Sequence, residues 1–488
     1  MLFNSLSFLL FFPLTTAIYF LLPRQVRWVH LLACSCVFYA AFIPGYLLIL
    51  LAVILIDYIA GLLIERSSGE YRRAFLILSL VANIGLLAVF KYFNFANSNI
   101  RALAEFLHWH YPIKNLGMIL PIGLSFHTFQ SMAYTIEVYR GNQKAERHLG
   151  IYSLYVMFYP QLVAGPIERP QHLLHQFREY HPFDAERVFD GLKQMLWGGF
   201  KKVVIADRLS AIVDAIYAQP SHVGGAYLIL ATWFFAIQIY CDFSGYSDMA
   251  IGAARVLGFR LMTNFDRPYA SQSVAEFWRR WHISLSTWFR DYLYIPLGGS
   301  RVTLPRWCFN VMVVFLISGM WHGASWSFAA WGALHGFYLI AARLISRLRR
   351  KPDLGATSAG NAFSAVLLKA FRVLVTFNLV AFAWIFFRAP TLADAGTIIR
   401  RIAGRHFWES AAFTVGDLNS PAFTIVTLII AAALIVFLLL AEWLLAHGDI
   451  RALNNKPIWV RWAAYYSMGL LILWIGALGA RSFIYFQF

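Results

Sequence analysis

The sequence has few charged residues for its length. Of its 488 residues, 13% are charged, whereas 60% are hydrophobic and 17% are aromatic. Soluble domains carry about 25% charged residues, because a folded chain in water needs a charged surface. The shortage of charge therefore excludes an ordinary soluble fold. It predicts that lipid surrounds most of the protein.

The sequence also lacks the signatures of several kinds of site. HExxH, paired CxxC and two-histidine-one-carboxylate spacings do not occur, so we expect no metal centre. GxSxG, Walker A and dinucleotide fingerprints are missing as well, which excludes lipase-like hydrolysis, nucleotide hydrolysis and Rossmann cofactors. The cysteines are too few for a disulfide framework; they are Cys34, Cys36, Cys241 and Cys308.

The net charge of +17 does not indicate nucleic-acid binding. The basic residues form short clusters between apolar runs, and no basic domain stands apart from these runs. Cytoplasmic loops of membrane proteins collect Lys and Arg in this way. Attraction of an anionic polysaccharide is a second explanation for part of the charge. The largest cluster is Arg343, Arg347, Arg349, Arg350 and Lys351.

Apolar runs recur along the whole chain. A transmembrane helix needs about 20 apolar residues, and we predict about eleven crossings with further re-entrant and interfacial helices. No polar stretch is long enough for a separate soluble domain, so we predict an all-α polytopic protein with a single membrane domain over residues 1–488. The candidate spans lie near residues 5–22, 28–43, 46–64, 74–92, 117–135, 148–164, 189–205, 224–241, 306–321, 326–345, 364–387, 422–445 and 460–480.

The early loops predict the orientation. Arg24 and Arg27 follow the first run, no charge follows the second, and Arg66 follows the third. Basic loops stay in the cytoplasm, so the first and third loops are predicted to be cytoplasmic and the N-terminus extracytoplasmic.

Residues 240–323 form a more polar insert. Between residues 240 and 300 the apolar runs weaken, and Gly, Asp, Arg, Trp and Ser become frequent. The spacing of Phe277, Trp281 and Trp288 predicts one amphipathic helix over Ser273–Tyr294 that lies in the interface plane. Polar, glycine-broken backbone at membrane depth is tolerated only where protein or a water-filled cavity surrounds it. We therefore expect a polar site inside a hydrophobic frame.

His322 is the strongest single candidate for chemistry. It lies between Trp321 and Gly323, where one apolar run ends and another begins. An ionisable side chain at this depth is costly unless it faces a cavity or a partner. Neutral imidazole can take a proton near neutral pH, and Gly319 and Gly323 would let a substrate or another helix approach it closely. The alternative is a structural histidine whose ring is bound by a neighbouring carbonyl.

His282 is the second candidate. On the predicted helix it shares a face with Arg279 and Ser286, three residues before it and four after it. A neighbouring arginine lowers the proton affinity of an imidazole, which favours the neutral form that can act as a base. The alternative is an interfacial histidine on a solvated helix face.

Two carboxylates, Asp242 and Asp248, flank a predicted glycine-broken turn. In such a turn they could bind hydroxyl groups, orient a histidine or pair with Arg255. Structural ion pairing is an equal alternative. We interpret His335, thirteen residues after His322, as structural.

Several of these stretches resemble the membrane-bound O-acyltransferase family, and most closely its bacterial, alginate O-acetyltransferase-like branch. The similarity covers nearly the whole chain and is most specific over residues 240–323. The matching stretches are Pro160–Pro170 (PQLVAGPIERP), Tyr240–Asp248 (YCDFSGYSD), Asn264–Tyr269 (NFDRPY), Phe277–Arg301, Trp321–Gly323 (WHG) and the C-terminal Phe483–Phe488 (FIYFQF).

The resemblance implies a fold and an activity. It implies a ring of helices with a tunnel or paired funnels, in which His322 corresponds to the family's catalytic histidine and His282 to its second motif histidine. A cytoplasmic acyl thioester, acetyl-CoA in the first instance, would be the donor substrate, and no cofactor would be bound. The implied substrate contacts come from Arg279, Arg280, Asp242, Asp248, Trp321 and Ser286.

The resemblance also implies a location and partners. The enzyme would lie in the bacterial inner membrane and pass acetyl groups to periplasmic partner proteins and an exported polysaccharide, alginate first. Peptidoglycan and cellulose acetylation are alternatives, and D-alanylation of teichoic acid fits less closely. An alternative of a different class is a polysaccharide transporter without acyl chemistry, in which the histidines line a permeation path.

Overall fold

The computed structural model of the protein describes residues 1–117, 121–163, 165–348, 362–409, 425–445, 450–477 and Phe483. Within these ranges every regular element is a helix, which confirms the all-α prediction. The α-helices are α1 Leu6–Leu21, α2 Arg24–Ala40, α3 Tyr46–Arg66, α4 Gly69–Leu87, α5 Phe93–Phe106, α6 Leu124–Arg140, α7 Leu149–Met157, α8 Pro170–Leu173, α9 Ala185–Gly199, α10 Asp207–Ala218, α11 Gly225–Leu257, α12 Val274–Arg280, α13 Ile283–Phe289, α14 Leu304–His322, α15 Trp326–Leu348, α16 Ala362–Arg388, α17 Leu392–Ala403, α18 Ile425–Leu444 and α19 Ile458–Ile475.

Among the described residues, seven helices are long and apolar enough to cross a membrane, which confirms the multi-spanning prediction. The apolar run at 148–164 yields only the nine-residue α7, which is too short to cross. The crossing number of about eleven stays a prediction. The seven helices are Tyr46–Arg66, Gly69–Phe106, Gly225–Leu257, Leu304–His322, Trp326–Leu348, Phe363–Arg388 and Ile458–Ile475, and two shorter apolar helices are Leu6–Leu21 and Leu428–Leu444.

The long helix α11 forms the centre of the protein. In its most apolar stretch 72% of the residues are buried, compared with 6% for α19, so α11 is enclosed by protein and α19 faces outward. Close approach of glycines brings α9 against α11. A Cβ on Gly191 would lie 2.7 Å from the carbonyl oxygen of Gly252, and a Cβ on Gly198 would lie 2.5 Å from that of Gly245. Small residues let helix backbones pack this closely inside a membrane.

The predicted glycine-broken turn at Tyr240–Asp248 is wrong. The chain passes through Gly245 as part of the continuous helix Gly225–Leu257. Gly245 is required for a different reason, because a Cβ there would lie 2.7 Å from the carbonyl oxygen of Gly198. This glycine therefore serves contact between helices and not a turn.

Helices α14 and α15 form a tight hairpin. A Cβ on Gly319 would lie 2.3 Å from the carbonyl oxygen of Phe328, and a Cβ on Gly332 would lie 2.2 Å from that of Phe315. At the turn, a Cβ on Gly323 would lie 2.0 Å from the ring of Phe328. The hairpin therefore depends on glycine at all three positions, and His322 is the last residue before its turn.

The single amphipathic helix predicted over Ser273–Tyr294 is also wrong. It divides into α12 and α13, and between them His282 adopts a left-handed backbone with φ 43° and ψ 55°. The carbonyl of Arg280 accepts from the Asp266 N–H at 3.0 Å, and the Ile283 N–H donates to the carbonyl of Asn264 at 2.9 Å. The break is therefore stabilised by a loop that periodicity within the segment does not reveal.

Candidate active site

His322 lies buried at the carboxyl end of α14, where helix carbonyls lack partners within the helix. The side chain of Lys91 supplies two partners, donating to the carbonyl oxygens of Trp321 at 2.5 Å and His322 at 2.9 Å. The Tyr92 hydroxyl donates to the carbonyl of Met320 at 2.9 Å. A basic group at this end also complements the negative end of the helix dipole.

The structure brings His282 against His322. Their ring centroids are 6.5 Å apart, with 53° between the ring planes. His282 is fully buried, and neither of its ring nitrogens has a hydrogen-bond partner within the described part of the chain. Burial lowers the pKa of His282 to about 3, so its imidazole is neutral at physiological pH. The sequence predicts a neighbouring arginine as the cause, but the cause in the structure is desolvation by burial.

Aromatic rings enclose the two histidines. Phe243 contacts His282 edge-on at 4.6 Å, and Trp331 contacts His322 edge-on at 5.0 Å. Trp321 lies 4.9 Å from His322 and stacks on Phe129 at 5.3 Å. Trp321, a predicted site residue, therefore packs against the two histidines.

His335, on α15, belongs to the same aromatic region. Its Nδ1 accepts a hydrogen bond from the indole N–H of Trp278 at 3.2 Å, and its ring lies 5.0 Å from Trp331. Trp331 therefore contacts both His335 and His322. This bonding agrees with the structural interpretation of His335.

A cavity of about 700 Å³, here called the histidine cavity, reaches His322. It extends from the turn of the α14–α15 hairpin, and its wall combines aromatic rings with basic and hydroxyl side chains. The volume is in the range of sites that hold a small molecule. The side chains that argue for a substrate site are Lys91, Phe126, Trp321, His322, Ser325 and Arg388.

A second cavity of about 630 Å³, here called the arginine cavity, lies toward the open end of the same hairpin. Its interior is apolar, and Arg279, Arg290 and Arg343 line it. Ser286 lines it too, and its hydroxyl donates to the carbonyl of Trp281 at 3.1 Å. Arg279 and Ser286 therefore share this cavity, and the prediction that they share one helix face with His282 is wrong, because the helix breaks before Ile283.

The remaining predicted side chains are held in ion pairs. Arg280 contacts Glu276 at 2.6 Å. Asp242 contacts Lys202 at 2.6 Å, and Asp248 contacts Lys201 at 2.6 Å.

Lys202 also contacts Asp207 at 2.9 Å. Together with the two lysine ion pairs above, this contact forms a group of five side chains, here called the lysine–carboxylate cluster. The cluster joins α11 to the π-helical segment Phe200–Ala206 and the start of α10. The ion-pair alternative for Asp242 and Asp248 is what the structure contains, with lysines as partners. The cluster is Lys201, Lys202, Asp207, Asp242 and Asp248.

No group of three or more His, Cys, Asp or Glu side chains in the described ranges is arranged to hold a metal ion. Besides His322, the polar side chains that line the histidine cavity include Lys91, Ser325 and Arg388, which carry amine, hydroxyl and guanidinium groups.

Comparison with known proteins identifies the family. The sequence model of the membrane-bound O-acyltransferase family matches residues 148–375. The probable alginate O-acetylase AlgI of Azotobacter vinelandii is 38% identical over 460 residues, which are 94% of this chain and 87% of the relative. The chain belongs to the membrane-bound O-acyltransferase family. It is therefore a multi-pass membrane enzyme that transfers acyl groups to oxygen, as predicted.

Two other relatives of this O-acyltransferase cover similar lengths. The probable alginate O-acetylase AlgI of Pseudomonas aeruginosa is 36% identical over 94% of this chain and 83% of the relative. The peptidoglycan O-acetyltransferase of Helicobacter pylori is 32% identical over 100% of this chain and 98% of the relative.

Sequence reasoning missed two polar residues at the site of this O-acyltransferase. Lys91 lies in the π-helical segment Ala88–Tyr92, between α4 and α5. A lysine at the end of an apolar run is a usable signal, since ionisable groups at membrane depth need a partner. Asn264 stands out in the sequence only as part of a matching stretch, and nothing in its own neighbourhood indicates that it bonds to residues beside His282.

The C-terminal matching stretch lies mostly outside the described residues. Phe483 is described, and its ring contacts Phe243 at 5.5 Å and Tyr246 at 4.9 Å. Residues 484–488 fall outside, as do Arg349, Arg350 and Lys351 of the basic cluster.

Proposed function

We propose that this O-acyltransferase moves an acetyl group from a cytoplasmic thioester to hydroxyl groups of an exported polysaccharide, with alginate as the first candidate. Two relatives over most of its length are named as probable alginate O-acetylases. The observation that carries the proposal is the pair His282 and His322, buried together with His322 in the wall of a cavity.

In the proposed reaction His322 acts as general base. It takes the proton from the acceptor hydroxyl while the hydroxyl oxygen bonds to the thioester carbonyl carbon. The carbon–sulfur bond then breaks, and the thiolate receives the proton, so the products are an ester and a free thiol. The neutral imidazole of His282 orients the donor or donates to the developing oxyanion.

The arginine cavity is the proposed entry for the donor. Its apolar interior suits an acyl-pantetheine arm, and Arg279, Arg290 and Arg343 suit the phosphates of acetyl-CoA. Arg343 lies in the last third of α15 and is the first residue of the basic cluster at residues 343–351. Basic ends of spans stay in the cytoplasm, so this cavity would open there.

The histidine cavity is the proposed acceptor side. It lies at the opposite end of the α14–α15 hairpin, where periplasmic partner proteins would collect the acetyl group or present the polymer. Trp321 contacts substrate in this proposal. The ion pairs of Asp242 and Asp248 favour a structural role for both of them.

The domain structure, the location and the orientation of the protein are also proposals. We propose one membrane domain over residues 1–488 in the bacterial inner membrane, with the N-terminus extracytoplasmic. A topology reporter fused ahead of Met1 checks the orientation: activity of a periplasm-specific reporter is expected, and activity of a cytoplasm-specific one would contradict it.

The test of function compares two histidine substitutions in producing cells. We expect His322→Ala to lower the amount of alkali-releasable acetate in the exported polysaccharide about 100-fold or more, while the polymer yield stays unchanged. The control is His175→Ala, because this histidine is exposed and lies away from both cavities. Retained acetate in His322→Ala contradicts its role as base, and reduced polymer with normal acetate content indicates transport instead.

Peptidoglycan is the second candidate acceptor. The relative from Helicobacter pylori named as a peptidoglycan O-acetyltransferase aligns with 98% of its own length. Ester-linked acetate should therefore be measured separately in purified peptidoglycan and in exported polymer. If only the acetate in peptidoglycan depends on His322, then peptidoglycan and not alginate is the acceptor.

A further inference from the structure

We propose that Asn264 is a positioning residue that holds His282 in place for the reaction. Its side chain is 1% exposed. Its Oδ1 accepts from the Ser284 hydroxyl at 2.7 Å and from the Ser284 N–H at 3.4 Å. Its Nδ2 donates to the Ser247 hydroxyl on α11 at 3.0 Å. One amide therefore ties the start of α13 to the central helix.

The backbone of the same loop brackets the break that carries His282. The carbonyl of Asn264 accepts from the N–H of Ile283, and the N–H of Asp266 donates to the carbonyl of Arg280. The residues on either side of Trp281 and His282 are thus both bonded to loop 264–266. A non-glycine residue at φ 43° persists only when its surroundings hold it there, and these bonds supply that hold.

The direction of each bond can be assigned from donor and acceptor chemistry. The Ser284 hydroxyl has one proton, which it gives to Asn264, and the same oxygen accepts from the Ile167 N–H at 3.0 Å. If the amide were flipped, its NH₂ group would face the two donors of Ser284. The arrangement therefore requires the carboxamide, with its oxygen toward Ser284 and its nitrogen toward Ser247.

Four of the separate matching stretches meet at this point, here called the Asn264 hub. Each contributes one residue: Ile167, Ser247, Asn264 and Ser284. Ser247 and Ser284 are 2% and 0% exposed, so water does not compete for these bonds. The hub gives the four stretches one shared task, which is to fix the backbone beside His282.

The hub matters because the ring of His282 lacks other polar restraints. Neither ring nitrogen has a hydrogen-bond partner in the described ranges, so backbone geometry and contacts with rings such as Phe243 set its orientation. Misplacing a reacting group by about 1 Å can cost about 100-fold in rate. The inference rests on the proposed function, since it takes His282 as one of the reacting pair.

The test uses the full-length enzyme in membranes, with acetyl-CoA as donor and the polymer as acceptor. Turnover and donor KM are measured for wild type, Asn264→Ala, Ser284→Ala, His282→Gln and the double variant His282→Gln/Asn264→Ala. The control is Thr287→Ala. The Thr287 hydroxyl also lies on α13, but it donates to the carbonyls of Ile283 and Ser284 within that helix. Thermal unfolding of each variant separates loss of fold from loss of rate.

We expect Asn264→Ala to lower turnover about 30- to 100-fold with little change in donor KM, since the group acts on geometry and not on binding. Ser284→Ala is expected to be milder, and Thr287→Ala to stay within about twofold of wild type. The double variant is expected to match His282→Gln alone, because a residue that acts through His282 adds nothing once His282 is gone.

Four outcomes would overturn the inference. Wild-type turnover by His282→Gln overturns the proposed histidine pair and the inference together. Loss of turnover by His282→Gln with normal turnover by Asn264→Ala overturns the inference alone. Fully additive losses in the double variant, or a loss in Asn264→Ala that matches the loss of folded enzyme, assign Asn264 a general structural role.

Discussion

The lysine–carboxylate cluster and the histidine pair are both largely buried in this O-acyltransferase, and they differ in how their polar atoms are satisfied. In the lysine–carboxylate cluster, Lys202 lies between Asp242 at 2.6 Å and Asp207 at 2.9 Å, so opposite charges meet. In the histidine pair, both ring nitrogens of His282 lack a hydrogen-bond partner within the described residues. Both regions carry ionisable residues on candidate spans, Asp242 on α11 and His322 on α14.

The difference shows that depth alone does not indicate chemistry. A buried charge is tolerated when a partner of opposite charge and further hydrogen bonds compensate for its lost hydration. Such a group is already engaged and has little left to offer a substrate. The neutral imidazole of His282 makes no hydrogen bond to the described residues, so its ring nitrogens can serve a reactant. We therefore expect substitutions in the cluster to affect folding, and substitutions in the pair to affect rate.

Removing Lys202 should have the largest effect on the fold. Lys202→Met leaves Asp207 and Asp242 buried without their shared partner, which is expected to cost about 3–5 kcal/mol of stability. The measurements are the yield of monodisperse enzyme and its thermal unfolding in detergent. Lys456→Met is the control, since this exposed lysine should change stability by less than about 0.5 kcal/mol. Normal stability of Lys202→Met would remove the distinction between the two regions.

His282→Gln should show the opposite pattern. Turnover is expected to fall about 100-fold, which corresponds to about 2.7 kcal/mol in activation free energy. The unfolding temperature should stay close to that of wild type, because the ring makes no hydrogen bond to the described residues. Activity per folded molecule is the deciding quantity. A variant that unfolds early but keeps full activity per folded molecule would place His282 with the structural residues.

Gly319→Ala tests whether the pair depends on the hairpin. The added methyl would lie 2.3 Å from the carbonyl of Phe328, so α14 must move away from α15. We expect a cost of about 1–3 kcal/mol in stability and a loss of turnover, since His322 lies one turn further along α14. Gly469→Ala in α19 is the matched control, because nothing lies within 4 Å of its added Cβ. Equal behaviour of the two variants would contradict the close-packed hairpin.

The smallest expected effect concerns His172, which lies outside the spans and is paired with Glu168. This effect is a change of stability with pH. His172 Nδ1 lies 2.6 Å from the buried carboxylate of Glu168, and this hydrogen bond raises the pKa of His172 above 6.5. The folded protein therefore holds the proton more tightly than the unfolded chain. The stabilisation is fully present below pH 6.5 and is lost as the pH rises through the raised pKa.

Unfolding temperature measured from about pH 6 to pH 9 checks this prediction. Burial raises the pKa of Glu168 above its ordinary value of 4.5 as well, so the stabilisation from this group is also lost as the pH rises through its raised pKa. We expect His172→Gln to flatten the pH dependence and His175→Gln, on the exposed side, to preserve it. Parallel curves for wild type and His172→Gln would contradict the pairing.

The sequence is sufficient for the frame and for one end of the site. Composition predicts lipid exposure, and the cost of an ionisable group at membrane depth singles out His322. The contacts of His282 are not predictable, because the helix breaks at a position stabilised by loop 264–266, which lies outside the predicted amphipathic helix. The π-helical position of Lys91 is equally hidden, since its partners are carbonyls more than 200 residues away.

Glycine limits the predictions in a second way. Gly245 and Gly323 look alike in sequence, yet Gly245 lies inside a continuous helix and Gly323 follows the end of one. The distinction depends on the neighbour, which is the backbone of Gly198 in the first case and the ring of Phe328 in the second. Local sequence shows that a side chain is absent but not which neighbour requires its absence.

The tether from Lys91 has a consequence for biosynthesis. It joins residues that are 231 positions apart in the chain, so the end of α14 gains its partner only after the ribosome has made most of the protein. Early spans enter the membrane while the histidine pair does not yet exist. A chain that ends before Trp321 would therefore lack both the histidine pair and the carbonyl partners of Lys91.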